Sequence, residues 1–162
     1  MAIISGVGKK FMEELALGIH ILSEGDPTTD VIKIALYGPN AIISPTSDAY
    51  STSGEVTGGG YSAGGDILGD DLVIVGASGS SRSDGTQFEH PYINPLNNVT
   101  ITISGVACRG LMMYNSSQSN RNIFTLDFGS LITPSVGILL PWALADVNSL
   151  PDALIPLIGN TI

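Results

Sequence analysis

The stretch that decides the fold is residues 98–128, NVTITISGVACRGLMMYNSSQSNRNIFTLDF. It opens on a strict alternation, with Val99, Ile101 and Ile103 at one parity and Thr100, Thr102 and Ser104 at the other. Successive side chains of a strand point to opposite faces. A period of two in β-branched residues therefore predicts a strand with one buried and one wet face. Gly105 breaks the alternation, and a second apolar run follows at 110–114 (GLMMY). Residues 115–122 contain no apolar side chain and read as a loop. The last run sets Phe124, Leu126 and Phe128 on one face against Ile123, Thr125 and Asp127 on the other. Three runs separated by turn signals predict an antiparallel meander. None of the three carries a catalytic group, so the best-determined part of the chain is architecture.

Working outward, residues 5–18 predict a helix. Ser5 is its cap, Phe11, Leu15 and Ile19 recur at four-residue spacing beside Met12, and Gly18 is its stop. A helix this short must dock, on its own sheet or on a partner's, to be stable. DVIKIALY at 30–37 is a strand with Ile32, Ile34 and Leu36 on one face, ended by Gly38-Pro39-Asn40. Residues 45–69 are dominated by Gly, Ser and Thr, a composition that suits a flexible linker. The spaced Tyr50, Val56, Tyr61, Ile67 and Leu68 point instead to short strands with glycine bends. LVIV at 72–75 is a buried strand, 76–85 an exposed loop, and 87–96, with Pro91 and Pro95, an edge segment. Residues 138–141 and 153–158 add two last strand-like runs. About eight short strands and one helix predict an all-β fold, an antiparallel β-sandwich of jelly-roll or immunoglobulin-like type. Residues 1–22 would be a helical arm, and 23–162 the β-sandwich domain with an apolar C-terminal arm.

At 162 residues one domain is expected. Hydrophobic residues make up 43 % of the chain and charged residues only 13 %, about half the usual share; twenty glycines and many hydroxyl side chains fill the gap. Such a composition fits an all-β protein, and equally a subunit whose surface is covered by neighbours, where buried charge would be costly. A net charge of −9 with six basic residues leaves no footprint for nucleic acid and would be repelled by an anionic membrane. Residues 128–145 lack charge for 18 positions, yet Gly129, Pro134, Gly137 and Pro141 punctuate strands rather than a spanning helix. Lys9 and Lys10 precede an apolar stretch, but Glu13 and Glu14 interrupt it, so a soluble chain without a secretory signal is expected.

Candidate chemistry is sparse. The single cysteine, Cys108, leaves no internal disulfide and reads as a buried, inert thiol. Residues 60–64 (GYSAG) satisfy the G-x-S-x-G pattern of a hydrolase nucleophile elbow, with His90 downstream. Glycines flank Ser62 where an apolar strand and a helix are required. Asp66, Asp70 and Asp71 imitate one turn of a calcium-binding repeat whose sites need stacked copies, so solvated turn acids are expected. His20 and His90 are isolated from other ligand types and read as ordinary histidines. The glycosylation sequons at Asn98 and Asn115 mean nothing without secretion. These readings exclude a coherent active site and imply no metal or other cofactor.

Taken together, several motifs carry a resemblance. Lys33, Ala35, Leu36 and Tyr37 come first; Ala49, Tyr50, Thr52, Glu55, Val56, Gly58, Gly60, Tyr61, Gly64 and Gly65 follow at fixed spacing. Arg109-Gly110, Tyr114-Asn115 and 126–129 (LDFG) complete the set. The arrangement resembles a family of small tailed-phage virion proteins, over roughly residues 11–145. Cys108 stands where that family usually has alanine, and the chain departs from the pattern at 76–97 and after Ser130. The resemblance implies a β-sandwich virion structural protein, first of all a head decoration (cement) subunit, second a fibre or neck component. Its partners would be other virion proteins, such as the major capsid protein, with trimers expected because decoration proteins tend to occupy threefold positions. The contact residues between chains are expected to be Phe11, Leu15 and Ile19 on the helix, and Trp142, Leu154, Ile155 and Leu157 in the C-terminal arm. A different class of reading makes residues 47–65 an exposed, aromatic-lined glycan or receptor site built on Tyr50 and Tyr61.

Overall fold

The computed structural model describes residues 3–22, 30–69, 72–75, 92–95, 99–140 and 155–156. Over these the chain is all-β with one short helix. The elements run β1 (Gly6–Val7), α1 (Phe11–Ala16), β2 (Ile32–Tyr37), β3 (Asp66–Gly69), β4 (Leu72–Val75), β5 (Tyr92–Pro95), β6 (Val99–Ile101), β7 (Cys108–Asn115), β8 (Arg121–Ile132), β9 (Ile138–Leu140) and β10 (Ile155–Pro156). The main sheet has the order β1-β8-β7-β2-β3, antiparallel throughout. A three-stranded sheet, β10-β5-β4, and a two-stranded ribbon, β6-β9, complete the set.

The centre is the pairing of β2 with β7, in register from Ile32 opposite Asn115 to Tyr37 opposite Gly110. Both strands are buried on both faces. Ile32, Ile34, Leu36, Leu111 and Met113 join one apolar cluster; Ala35, Tyr37, Met112 and Tyr114 join another, under Ile3, Ala41 and Ile43. This explains why GLMMY does not alternate: a strand covered on both sides reads as a continuous apolar run. Burying one such side chain contributes about 1.5–3 kcal/mol. β7 returns as β8 through a turn in which Ser119 and Asn120 take left-handed φ values of 53° and 57°.

The alternation at 99–104 holds, with Ile101 and Ile103 fully buried and Thr100, Thr102 and Ser104 exposed. The meander does not. β6 pairs with β9, Val99 opposite Leu140 and Ile101 opposite Ile138, and only β7 and β8 form the expected hairpin. An alternating strand declares a buried face but not its hydrogen-bonding neighbour. Here Ser104 N donates to Gly59 O (2.9 Å) and Gly105 N to Pro134 O (2.8 Å), which carries the chain away from β7. The β6-β9 ribbon lays Ile101, Ile138 and Leu140 into the same cluster as β2 and β7, and Ile103, just past β6, joins them.

Three further expectations are corrected. Helix α1 begins at Phe11, not near Ser5, whose Oγ instead accepts from Asp127 N at 2.8 Å. Gly6 and Gly8 make the preceding turn a poor helix. A Cβ on Gly8 would lie 2.3 Å from Asn122 O, so the backbone there runs flush against β8. β5 lies between β4 and β10 rather than at an edge. On β8, Ile123 joins Phe124, Leu126 and Phe128 at the first cluster, because the register shifts between Met113 and Tyr114. Such a bulge sets two neighbours against one partner.

Candidate functional site

Two polar clusters lie against the main sheet, and both are built from loops returning to β2 and β7. The first surrounds Glu55. Beyond the last register pair of β3, Ile34 opposite Asp66, no strand among the described residues lies beside the outer edge of β2. Val56 N donates to Leu36 O (3.0 Å), and Leu36 N donates to the Tyr61 hydroxyl (2.9 Å), so a loop and a side chain do a strand's work. Tyr61 in turn donates to Glu55 Oε1 (2.8 Å), which also accepts from Gly64 N (2.9 Å). Tyr50 donates to Glu55 Oε2 at 2.5 Å. Its ring stacks on Tyr114, centroids 4.4 Å apart and planes 12° from parallel. Tyr114 donates to Gly64 O (2.6 Å) and Tyr37 to Ser51 O (2.7 Å).

Burial pushes the phenols of Tyr37, Tyr50 and Tyr61 well above their ordinary range, and the Glu55 charge adds to it. These side chains therefore stay protonated and act as hydrogen-bond donors, not bases. Of the motif residues between Ala49 and Gly65, Tyr50, Glu55, Val56, Tyr61, Gly64 and Gly65 have a place in this lacing. Gly65 passes so close under β2 that a Cβ would lie 2.1 Å from Ile34 O.

The second cluster joins α1 to the end of β7. Asp30, 3 % exposed, accepts from Ile21 N (2.9 Å), Asn115 Nδ2 (2.7 Å) and Gln118 Nε2 (2.9 Å). Asn115 Oδ1 accepts from the backbone N–H groups of Ser117 and Gln118, which fixes the amide's orientation. Its second N–H then points at His20 Nδ1, 2.9 Å away. The imidazole proton accordingly sits on Nε2 and is donated to Glu14 Oε2 (3.1 Å), while Arg121 pairs with Glu14 Oε1 (3.3 Å). A His between a carboxylate and an amide resembles a catalytic relay on paper. Its side chain is wholly buried, with the Phe11 ring centroid 4.9 Å away, and among the described residues its two ring nitrogens are taken up by Glu14 and Asn115 rather than by a nucleophile. The relay geometry serves to hold three segments together.

The other sequence candidates separate. Ser62 is exposed in a turn that leads into β3, not on a strand-to-helix elbow. Asp66 begins β3, while Asp70, Asp71 and His90 lie outside the described residues. Cys108 is fully buried, and burial raises its thiol's pKa. Tyr61 is 4 % exposed and Tyr50 half-buried, both committed to Glu55, so the aromatic pocket expected at 47–65 is turned inward. Of the expected contact residues, Phe11 is fully buried in the chain's own core, which corrects its assignment to an interface. Leu15 packs partly against that core, and Ile19 is 39 % exposed. Trp142, Leu154 and Leu157 lie outside the described residues. Ile155 is described only as a residue of β10, opposite Ile93. Among the described residues, no helix is long and apolar enough to cross a membrane.

Sequence reading missed Glu14, Asp30 and Asn115 as a unit, since polar groups 85 and 95 positions apart give no local signal. Compared with known proteins, the chain matches no family model, no curated protein and no solved structure.

Proposed function

We propose that the chain is a structural protein of a tailed-phage particle, a head decoration subunit that holds neighbouring shell proteins through low-charge, shape-complementary contacts. One observation carries the reading beyond the motif resemblance. The buried polar groups described above lace loops to the sheet, while among the described residues ten large apolar side chains stay exposed on the single chain, from Ile4 and Ile42 to Leu131, Val136 and Leu139. Scattered exposed apolar residues are ordinary, but in a chain with 13 % charge they favour a surface covered by other subunits. The partners are other virion proteins and further copies of the chain in a homotrimer; nucleic acid and membrane are not among them. A fibre or neck position is the second reading, on the same surface chemistry.

Immunogold electron microscopy of purified particles, with antibody raised against the chain, tests the proposal. Label spread over the head supports decoration. Label confined to the neck or fibres replaces it with the second reading, and unlabelled particles refute both.

A further inference from the structure

We propose that Tyr50 and Tyr114 form an oxidative cross-linking site, closed by a one-electron oxidant into an intramolecular dityrosine. This rests on the geometry of the pair and is independent of the virion reading. The rings are stacked, with centroids 4.4 Å apart and planes 12° from parallel. That is the arrangement in which two phenoxyl radicals meet through their faces before their ortho carbons couple. Tyr50 also has a proton acceptor in place, since its hydroxyl donates to Glu55 Oε2 at 2.5 Å. A tyrosine gives up an electron readily only when its proton has somewhere to go.

The step balances as follows. Each ring loses one electron to one equivalent of oxidant. The Tyr50 proton passes to Glu55 and on to solvent, and the Tyr114 proton, donated to Gly64 O at 2.6 Å in the resting fold, is lost to water as the loop carrying Tyr50 and Gly64 shifts. One carbon–carbon bond then forms between the two ortho positions, and the two ring hydrogens move to the phenolic oxygens as both rings regain aromaticity. The net change is two electrons and two protons lost. The two side chains differ in freedom. Tyr114 lies within β7 and is 2 % exposed; Tyr50 is half-buried on a loop, held by its N–H to Asn120 O at 2.8 Å. Tyr50 is therefore the ring that turns to meet its partner. Because Tyr114 is covered, a link that includes it comes from within one chain rather than from collision of two.

The test uses the purified full-length chain with a photogenerated ruthenium(III) tris-bipyridyl oxidant and persulfate as the terminal electron acceptor. Dityrosine emission should appear in the uncross-linked size fraction, and peptide mass spectrometry should find Tyr50 joined to Tyr114. Tyr50→Phe and Tyr114→Phe should each abolish that linked peptide, and Glu55→Gln should lower its yield several-fold with the fold retained by circular dichroism. Should Tyr114→Phe fail to fold, Tyr50→Phe, on the loop, carries the same test. Wild-type protein whose tyrosines are oxidised without a 50–114 link overturns the proposal, as does dityrosine found only between chains.

Discussion

The hydroxyl of Tyr61 stands where a neighbouring strand's carbonyl would stand, 2.9 Å from the backbone N of Leu36. Leu36 is fully buried on the part of β2 that β3 does not reach, and among the described residues the Tyr61 hydroxyl is the acceptor its outward N–H finds. Tyr61→Phe removes the acceptor while keeping the ring. An orphaned buried donor costs about 1–3 kcal/mol, so urea denaturation should show a loss in that range with an unchanged slope. A loss below a few tenths would mean that β2 finds another acceptor.

The tyrosine cluster makes a second prediction, at alkaline pH. The folded-state pKa values of Tyr37, Tyr50 and Tyr61 lie above their unfolded values, mainly through burial. Their contribution to stability is full below the ordinary tyrosine pKa of about 10 and is lost as pH rises beyond it, because only the unfolded chain ionises there. Ultraviolet titration of the native protein should thus show these phenols ionising together with unfolding, not before it. Three phenols ionising near pH 10 with circular dichroism unchanged would contradict the arrangement.

A third concerns acid. Arg109 holds Asp127 with two nitrogens, Nε to Oδ1 at 2.7 Å and Nη2 to Oδ2 at 3.2 Å. Gly129 N donates to the same carboxylate at 2.8 Å. The Arg109 hydrogen bonds first, and Gly129 second, lower the Asp127 pKa. A depressed folded pKa gives stability that is present above the usual carboxylate range and lost as pH falls through the folded value. Asp127→Asn should therefore be less stable than wild type at neutral pH, and the gap between them should narrow below about pH 4. Melting temperatures across pH 2–7 would show a constant gap if the pair contributed nothing specific to the charged form.

How much of this was legible in the sequence depends on the range over which each cause acts. Alternation at 99–104 and the shared face of Ile32, Ile34 and Leu36 are local consequences of burial, and both hold. The partner of β6 is set by the excursion at 104–105 and by a strand nearly forty residues on, which no local pattern encodes. The four-residue spacing of Phe11, Leu15 and Ile19 marks a helical face but no start, and the helix is held back to Phe11 rather than Ser5 by Gly6 and Gly8. Those two residues instead let the chain run as a strand against β8. At the site, the Tyr-Glu-Tyr-Gly spacing of 50–65 was visible as a pattern, but its purpose depends on where β3 stops pairing with β2.

The N-terminal segment gives a fourth prediction, opposite to that for a detachable arm. Phe11 is fully buried in the main core, Gly6 and Val7 pair with Thr125 and Phe124, and Glu14 closes the His20 cluster. Phe11→Ala should cost about 3–5 kcal/mol. Deletion of residues 1–18 should abolish cooperative unfolding. A truncated chain that still melts in one sharp transition would restore the segment to a role between subunits.

Gly65 and Gly129 offer the last test, because they separate contact from conformation. Both have positive φ, +73° and +77°, so a side chain at either is strained by about 1–2 kcal/mol. Among the described residues nothing lies within 4 Å of a Cβ on Gly129, whereas one on Gly65 would sit 2.1 Å from Ile34 O and 2.6 Å from its carbonyl carbon. The obstructing atoms are backbone of a central, doubly covered strand, which cannot swing aside as a side-chain tip can. Gly129→Ala should therefore lose only the conformational cost. Gly65→Ala should exceed it by more than about 2 kcal/mol or fail to fold, in the range where a single substitution is exceptional. Parallel urea titrations of the two variants decide it. Equal losses would mean that the loop carrying Gly65 is free to lift away from β2, and the close packing that seats Glu55 and its tyrosines would then be absent in solution.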